Sequence, residues 1–244
     1  MSNINNDNRI MIDGKEYDAD TRGGRPIFGA DNVKTLSDAK YLRLYDLQYS
    51  EGKHYFDASR RKTEDLVAIK PDGEFKTMLP DAVTIAVVVI RPDDSPKLLM
   101  NYEYRYPVGQ YLLSPVAGLI DPEDRETENP LVEAAIREIS EEVGLTVKPA
   151  DKVTVINPCA FSSPGMTDES NAFMCAEIHL DNAIDVHQDG AVGTELFAGF
   201  ELVDEDEAER LFTSGRDRYG NFFSLATWAV LGYFLREYGK KVQK

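Results

Sequence analysis

The sequence predicts an α+β or α/β sandwich with an N-terminal β appendage. Its 244 residues are enough for a sizeable hydrophobic core. The β-branched run "AVTIAVVVIRP" is typical of a buried central strand. The early part of the chain is rich in strand patterns, and strands then mix with helices. We therefore predict an N-terminal arm and β appendage over residues 1–80 and the main domain over 81–244.

The N-terminal part divides into two segments. Residues 1 to about 36 are rich in Asn, Asp and Gly, so we expect a loose arm there. From Tyr41 the stretch "YLRLYDLQYSEGKHYFDASRRK" alternates apolar and polar residues around "SEGK". This alternation predicts a β-hairpin.

The main domain is predicted to combine strands with three helices. "KLLMNYEYRY" is the expected partner of the central strand, and three more strands are predicted at "DKVTVINPCAF", "NAFMCAEIHL" and "LFAGFELVD". "PVGQYLLSPVAGLIDPEDRETENP" is predicted to be a loop that leads into a helix, with Asn129 as the N-cap and Pro130 in the first position. Gly144 ends that helix. Two further helices, around "EDEAERLF" and "FFSLATWAVLGYFLREYG", close the chain.

The composition argues against several classes of partner. With 27 basic and 43 acidic residues the net charge is -16, which disfavours binding to nucleic acid or to anionic membranes. No apolar run approaches the roughly 20 residues of a membrane helix. The polar N-terminus lacks the apolar stretch of a signal peptide, and the two cysteines, Cys159 and Cys175, are expected to be free thiols. These features predict a cytoplasmic protein.

The stretch "AAIREISEEVGL" poses the main functional question. Glu138, Glu141 and Glu142 lie at helical spacing, so their carboxylates share one face. One interpretation is a solvated face, in which Arg137 bridges neighbouring carboxylates by ion pairs worth about 0.2–0.5 kcal/mol each. The other interpretation is a cation site, and oxygen ligands without His or Cys suit Mg²⁺ or Mn²⁺.

"REISEEVGL", preceded by "AGLID" and an acidic loop, resembles the second half of the Nudix box, G-x5-E-x7-R-E-U-x-E-E-x-G-U, in which U is aliphatic. The first half departs from the pattern. Glu128 follows Gly118 after nine residues instead of five, and eight residues instead of seven separate it from Arg137. We interpret this as an enlarged loop, "DPEDRETEN". The resemblance implies an α/β/α Nudix sandwich with a mixed sheet and a Mg²⁺-dependent hydrolase, with Mn²⁺ as a substitute.

"NYEYRYPVGQYLLSPVAGLID" further resembles the ADP-ribose pyrophosphatase branch of this family, although Ser114 stands where the branch usually has Glu. The resemblance implies a phosphate contact from Arg105 and a metal site made of the Ala117 carbonyl, Glu138, Glu141 and Glu142. The loop "FSSPGMTDES" supplies the candidate catalytic acid, Glu169, and Asp168 is an equal candidate on chemistry alone. The catalytic set implied is Glu169, Glu141 and Arg137.

The segment "YFDASRRK" resembles the N-terminal β segment of the branch, which in those dimers reaches the partner's site. The resemblance thus implies a homodimer and nucleotide contacts from Arg60 and Arg61. The rival interpretation makes these two arginines edge-strand guards against aggregation. Arg105 also has an alternative interpretation, in which it is a surface charge at the end of a strand.

The implied reaction is hydrolysis of the diphosphate of a nucleoside diphosphate sugar, with ADP-ribose giving AMP and ribose 5-phosphate. UDP-glucose and GDP-mannose are alternative substrates, since the box does not select the base. A non-catalytic ADP-ribose-binding sensor is the alternative from another class of protein. Retention of all three helix carboxylates argues for the enzyme.

Overall fold

The computed structural model describes residues 9–18, 29–182, 184–187 and 196–239. The chain forms two compact units. The N-terminal unit comprises Met1–Lys76 together with Met166–Asp168, and the second unit comprises Thr77–Gly165 and Glu169–Lys244. Among the described residues, no helix is both long enough and apolar enough to cross a membrane.

The described part of the chain contains twelve strands and five α-helices. The strands are β1 (Arg9–Ile12), β2 (Lys15–Asp18), β3 (Val33–Asp38), β4 (Arg43–Ser50), β5 (Lys53–Ser59), β6 (Ala82–Arg91), β7 (Asp94–Arg105), β8 (Gln110–Ser114), β9 (Val116–Leu119), β10 (Lys152–Phe161), β11 (Ser170–His179) and β12 (Phe197–Val203). The helices are α1 (Asp72–Phe75), α2 (Pro122–Arg125), α3 (Pro130–Val143), α4 (Glu205–Ser214) and α5 (Leu225–Tyr238).

The N-terminal unit contains two small antiparallel sheets, β1–β2 and β3–β4–β5. The hairpin predicted around "SEGK" is confirmed as β4–β5. The expectation of a loose arm is wrong for β1, β2 and the start of β3, and the rest of the arm lies outside the described residues. A two-residue turn at Asp13 (φ 49°) and Gly14 (φ 77°) explains the first hairpin, because a type I′ turn needs positive φ at both central residues.

The second unit is built on a seven-stranded mixed sheet. Its path is β10-β11-β6-β7-β12, with β8 paired to β7 and β9 paired to β6. The β6–β11 pair is parallel, whereas the other pairs are antiparallel. The apolar run of β6 therefore forms the predicted central strand, with buried residues facing both sides of the sheet.

Helices cover both faces of this sheet. Val83, Ile85 and Val87 of β6 belong to one core, which α3 joins through apolar residues such as Ala135 and Ile139. The alternate residues of β6, Ala86 and Val88, belong to a second core with α4 and α5, whose contributions are Ala208, Leu211, Val230, Leu231 and Phe234. The predicted α+β sandwich with a mixed sheet and an N-terminal antiparallel β appendage is confirmed.

Helix α3 has the predicted ends, whereas the segment before it does not have the predicted form. Asn129 is the N-cap, Pro130 is the first helical residue, and Gly144 ends the helix with φ 70°. The segment predicted to be a loop contains β8, β9 and α2 instead. The two strands are short and gain their hydrogen-bond partners from β7 and β6, so a local pattern does not reveal them.

Candidate active site

The carboxylates of α3 do not form a solvated face. Glu138 is 6% exposed and Glu142 is 3% exposed. Of the three, only Glu141 is substantially accessible, with 38% of its side chain exposed. A buried carboxylate is costly unless donors or cations compensate its charge, so each of the two buried glutamates needs identified partners.

Arg137 supplies the main compensating charge. Its Nη1 donates to Glu138 Oε1 (2.7 Å) and to Glu141 Oε2 (3.0 Å). Its Nη2 donates to the Leu119 carbonyl (2.7 Å) and to Asp124 Oδ2 (2.9 Å), which also accepts from Nε at 3.3 Å. Burial acts to lower the pKa of Arg137, but the hydrogen bonds and charges of Asp124 and Glu138 outweigh it and raise the pKa above its ordinary value. The guanidinium is therefore a permanently charged link between α3, α2 and the end of β9.

Asp124 is a site residue that the sequence interpretation missed. Glu128, which we aligned with the first glutamate of the box, is exposed. Asp124 is 6% exposed, accepts from Arg137, and also accepts from the Asp121 amide at 3.0 Å. A signal was present, because Asp124 follows Gly118 after the five residues that the pattern requires. The enlargement of the box therefore lies after the first acid, between Asp124 and Arg137.

Gly118 allows β9 to approach α3 closely. A Cβ at this position would lie 1.9–2.3 Å from the carboxylate atoms of Glu138. Real contacts of that length do not occur, so any side chain at position 118 would displace the Glu138 carboxylate. The glycine thus lets the Glu138 carboxylate keep its observed place against β9.

Glu142 connects the helix to β7 and β9. Its Oε2 accepts from Asn101 Nδ2 at 3.0 Å and from the Ala117 amide at 3.4 Å. Asn101 is fully buried on β7, opposite Ser114 of β8. Asn101 was not among the predicted site residues, and its signal in the sequence is a single amide within an apolar strand. The structure thereby brings Ala117 and Glu142, two of the predicted metal ligands, together.

Arg105 lies further along the same strand. Alternate residues of a strand share a face, so Asn101, Glu103 and Arg105 point to one side of β7. Arg105 Nη2 is 2.5 Å from Glu103 Oε2, and 44% of the Arg105 side chain is exposed. The arginine is therefore an accessible cation on the face of β7 that also holds Glu142.

The register of the sheet places the start of β11 at the same edge as the box. Val83 of β6 pairs with Gly118 on one side and with Ala172 on the other. Glu169 directly precedes β11, so it lies at the same edge of the sheet as the last residue of β9. The start of β11 and the end of β9 are two strand spacings apart, or ~10 Å. Asp81 ties these ends together, because its carbonyl accepts from Ile120 and its Oδ2 accepts from the Ser170 amide.

The donor chemistry of this site fits a hard divalent cation, since it offers carboxylate and carbonyl oxygens without sulfur or imidazole. In the part of the chain that the structure describes, however, no three His, Cys, Asp or Glu side chains are grouped around a common point. Glu138 and Glu141 bond to Arg137, and Glu142 bonds to Asn101 and Ala117. The three glutamate carboxylates of α3 therefore accept hydrogen bonds from protein groups in this structure.

The predicted nucleotide-binding arginines lie in the N-terminal unit. Arg60 is exposed at the end of β5, and its carbonyl accepts from Arg43 Nη1 at 2.9 Å. Arg61 has only 11% of its side chain exposed, and its guanidinium faces Asp168. Asp168 Oδ2 accepts from the Val67 amide at 3.2 Å, and its side chain is 9% exposed. Asp168, one of the two acids that the sequence left open as catalytic candidates, therefore makes structural contacts.

Comparisons with known proteins agree with this fold. No family model matches the chain. A Schizosaccharomyces pombe protein described as an uncharacterized Nudix hydrolase is 24% identical over 197 residues, which cover 79% of this chain and 86% of that protein. A crystal structure of an ADP compounds hydrolase has a TM-score of 0.50 at 17% identity, covering 84% of this chain and 92% of that one.

A Caenorhabditis elegans Ap4A hydrolase has a lower TM-score of 0.39 at 16% identity, covering 64% of this chain and 96% of that one. That similarity is too low to bear on the assignment. The chain is thus similar in sequence to a protein described as a Nudix hydrolase, and it shares the fold of the ADP compounds hydrolase.

Proposed function

We propose that this protein hydrolyses the diphosphate of a nucleoside diphosphate sugar, with ADP-ribose as the substrate and Mg²⁺ as the cofactor. The observation that carries the proposal is that Glu138, Glu141 and Glu142 all lie on α3 and that two of the three are buried. A fold has little use for such an acidic group unless it binds cations, because buried like charges cost free energy.

The reaction consumes one water and breaks one P–O–P bond, giving AMP and ribose 5-phosphate. We assign the metal to Glu138, Glu141, Glu142 and the Ala117 carbonyl. A divalent cation held by these residues would neutralise the charge of the diphosphate and would lower the pKa of a water bound to it. Arg137 keeps Glu138 and Glu141 in place as the hydrogen-bond donor that joins them.

The remaining roles follow from position and charge. Arg105 is an accessible cation suited to a charge-assisted contact with a phosphate oxygen. Glu169 is the general base that takes the proton of the attacking water, since it leaves the sheet at the edge where the box lies. Arg60 and Arg61 are assigned to the nucleotide of the partner's site in a homodimer, because "YFDASRRK" resembles the segment that has this role in the ADP-ribose pyrophosphatase branch. ADP-ribose is favoured by the likeness of "NYEYRYPVGQYLLSPVAGLID" to the ADP-ribose pyrophosphatase branch.

The test is product formation from ADP-ribose, UDP-glucose and GDP-mannose, each with Mg²⁺ and with EDTA. We expect Mg²⁺-dependent release of AMP from ADP-ribose, with kcat reduced at least about 10²-fold in Glu142→Gln. Glu133→Gln is the matched control, because Glu133 is an exposed residue of the same helix. Turnover of another sugar nucleotide in place of ADP-ribose would contradict the proposed substrate but would support the proposed diphosphate hydrolysis. Binding of ADP-ribose without turnover would refute the hydrolase and favour the sensor.

A further inference from the structure

Asn101 is a polar side chain within an apolar stretch of β7. The two residues before it, Leu99 and Met100, are at most 1% exposed, and Asn101 itself is 0% exposed. Its backbone has a strand on either side, since Asn101 pairs with Ser114 of β8 and with Phe200 of β12. The residue therefore stands inside the sheet, where a buried amide costs free energy unless its polar atoms are hydrogen-bonded.

The two polar atoms of the Asn101 side chain differ in their contacts. Nδ2 donates to Glu142 Oε2 at 3.0 Å, and a carboxylate only accepts, so the nitrogen of the amide has to face it. Oδ1 is buried and has no hydrogen-bond partner among the described residues. The Ser114 hydroxyl on the neighbouring strand donates to the Leu112 carbonyl at 3.2 Å instead. Asparagine thus leaves the sheet with an unsatisfied acceptor, which leucine would not do.

The donors to Glu142 differ in charge from the donor to the other two carboxylates of α3. Those two accept from the guanidinium of Arg137, which carries a positive charge. Glu142 Oε2 accepts from two neutral groups, the Asn101 side-chain amide and the Ala117 backbone amide at 3.4 Å. A neutral donor favours the ionised carboxylate and fixes its position, and it leaves the negative charge for a cation.

We propose that Asn101 is a positioning residue for the divalent cation, and that it acts by fixing the Glu142 carboxylate without neutralising its charge. The inference rests on the proposed function, in which Glu142 is a ligand of that cation. Groups that hydrogen-bond to metal ligands orient them, and their loss typically costs about 10–100-fold in metal affinity or activity. This role explains why a residue with an unsatisfied acceptor occupies the interior of the sheet.

The experiment is a titration of the metal-free chain with Mn²⁺ alone, in which the free ion is followed by electron paramagnetic resonance. Asn101→Leu keeps the approximate size of the side chain and removes its donor. We expect this variant to bind Mn²⁺ about 10–100-fold more weakly than wild type. In the Glu142→Gln background the same change should cost less than about threefold, because the carboxylate that Asn101 positions is already absent.

Thr227→Val is the matched control. Thr227 is 0% exposed, as Asn101 is, and its hydroxyl donates to the Leu113 carbonyl at 2.9 Å on the face of the sheet that α5 covers. Its substitution removes one buried hydrogen bond and should leave Mn²⁺ affinity unchanged. An equal loss of affinity in Thr227→Val and Asn101→Leu would overturn the proposal, since it would indicate a general effect of lost stability. Wild-type affinity in Asn101→Leu, or additive losses in the double variant, would also overturn it.

Turnover separates this role from a contact with the substrate. In Asn101→Leu we expect the Mg²⁺ concentration at half-maximal activity to rise about 10–100-fold, with kcat at saturating Mg²⁺ within about threefold of wild type. A lower kcat at saturating Mg²⁺ with an unchanged Mg²⁺ requirement would overturn the proposal. If Asn101→Leu does not fold, Asn101→Ala removes the same donor without adding bulk and replaces it in each arm.

The two proposals fail in different ways. A wild type without turnover on the substrate panel refutes the proposed function, and the Mn²⁺ titration still decides the role of Asn101. An active wild type whose Mn²⁺ affinity does not depend on Asn101 refutes the positioning role alone. A wild type that binds no Mn²⁺ refutes the positioning role as well, because the cation that Glu142 is assigned to hold is then absent.

Discussion

Gly118→Ala adds a single methyl group where the structure has no room for one. The new Cβ would lie 1.9 Å from Glu138 Oε1 and 2.0 Å from its Cδ. Gly118 does not have a positive φ, so alanine is not strained by its own backbone conformation. The substitution therefore acts on the Glu138 carboxylate, which has to move away from Arg137.

The cost follows from the contact that is lost. The bond from Arg137 Nη1 to Glu138 Oε1 is 2.7 Å long, and only 8% of the Glu138 side chain is exposed. Hydrogen bonds that involve charged groups contribute about 1.5–3 kcal/mol. At about 2–4 °C per kcal/mol for a protein of this size, a loss of about 2 kcal/mol lowers the melting temperature by roughly 4–8 °C.

The assay is thermal unfolding of Gly118→Ala beside Gly73→Ala. A Cβ at Gly73 would meet no atom within 4 Å, and this glycine has no positive φ, so its substitution should leave the melting temperature nearly unchanged. In a Glu138→Ala background the change at Gly118 should cost nothing further, because the carboxylate that it displaces is gone. Equal melting temperatures for the two glycine variants, or additive losses in the double variant, would refute the reasoning.

Two further predictions concern single carboxylates. Asp124→Asn should destabilise the protein by about 1.5–3 kcal/mol in denaturant unfolding, because Asp124 accepts from Arg137. Glu128→Gln should have little effect, because Glu128 is exposed. A larger loss in Glu128→Gln than in Asp124→Asn would assign the first acid of the box to Glu128. Burial and the charge of Asp168 raise the pKa of Asp57 from 3.8 to about 6. Its contribution to stability is therefore fully present below about pH 4 and is lost as the pH rises through about 6. The free energy of unfolding of wild type relative to Asp57→Asn should fall across that window, and a constant difference would contradict the assignment.

The three carboxylates of α3 differ in burial and in hydrogen-bond partners more than their spacing in the sequence indicates. The spacing of Glu138, Glu141 and Glu142 predicted that their carboxylates share a face, and all three residues lie on α3. Their environments nevertheless differ. Glu138 and Glu141 share Arg137, whereas Glu142 is buried against Asn101. We expect the three to respond differently to substitution, since Glu141 alone is well exposed to solvent.

The sequence by itself determined the features that repeat over a few residues. The period of a helix fixed α3, with its N-cap at Asn129 and its end at Gly144, and the β-branched run fixed β6 as a central strand. Such patterns need no distant partner, because backbone geometry sets which side chains share a face. The order of β7, β10, β11, β12, α4 and α5 followed in the same way.

Tertiary structure decided which residues complete the site. Asp124 meets Arg137 across 13 positions of the sequence, and Asn101 meets Glu142 across 41. No local pattern encodes these contacts, since each depends on how separate elements pack or pair. The same reason explains β8 and β9, which are strands only because β7 and β6 supply their hydrogen-bond partners.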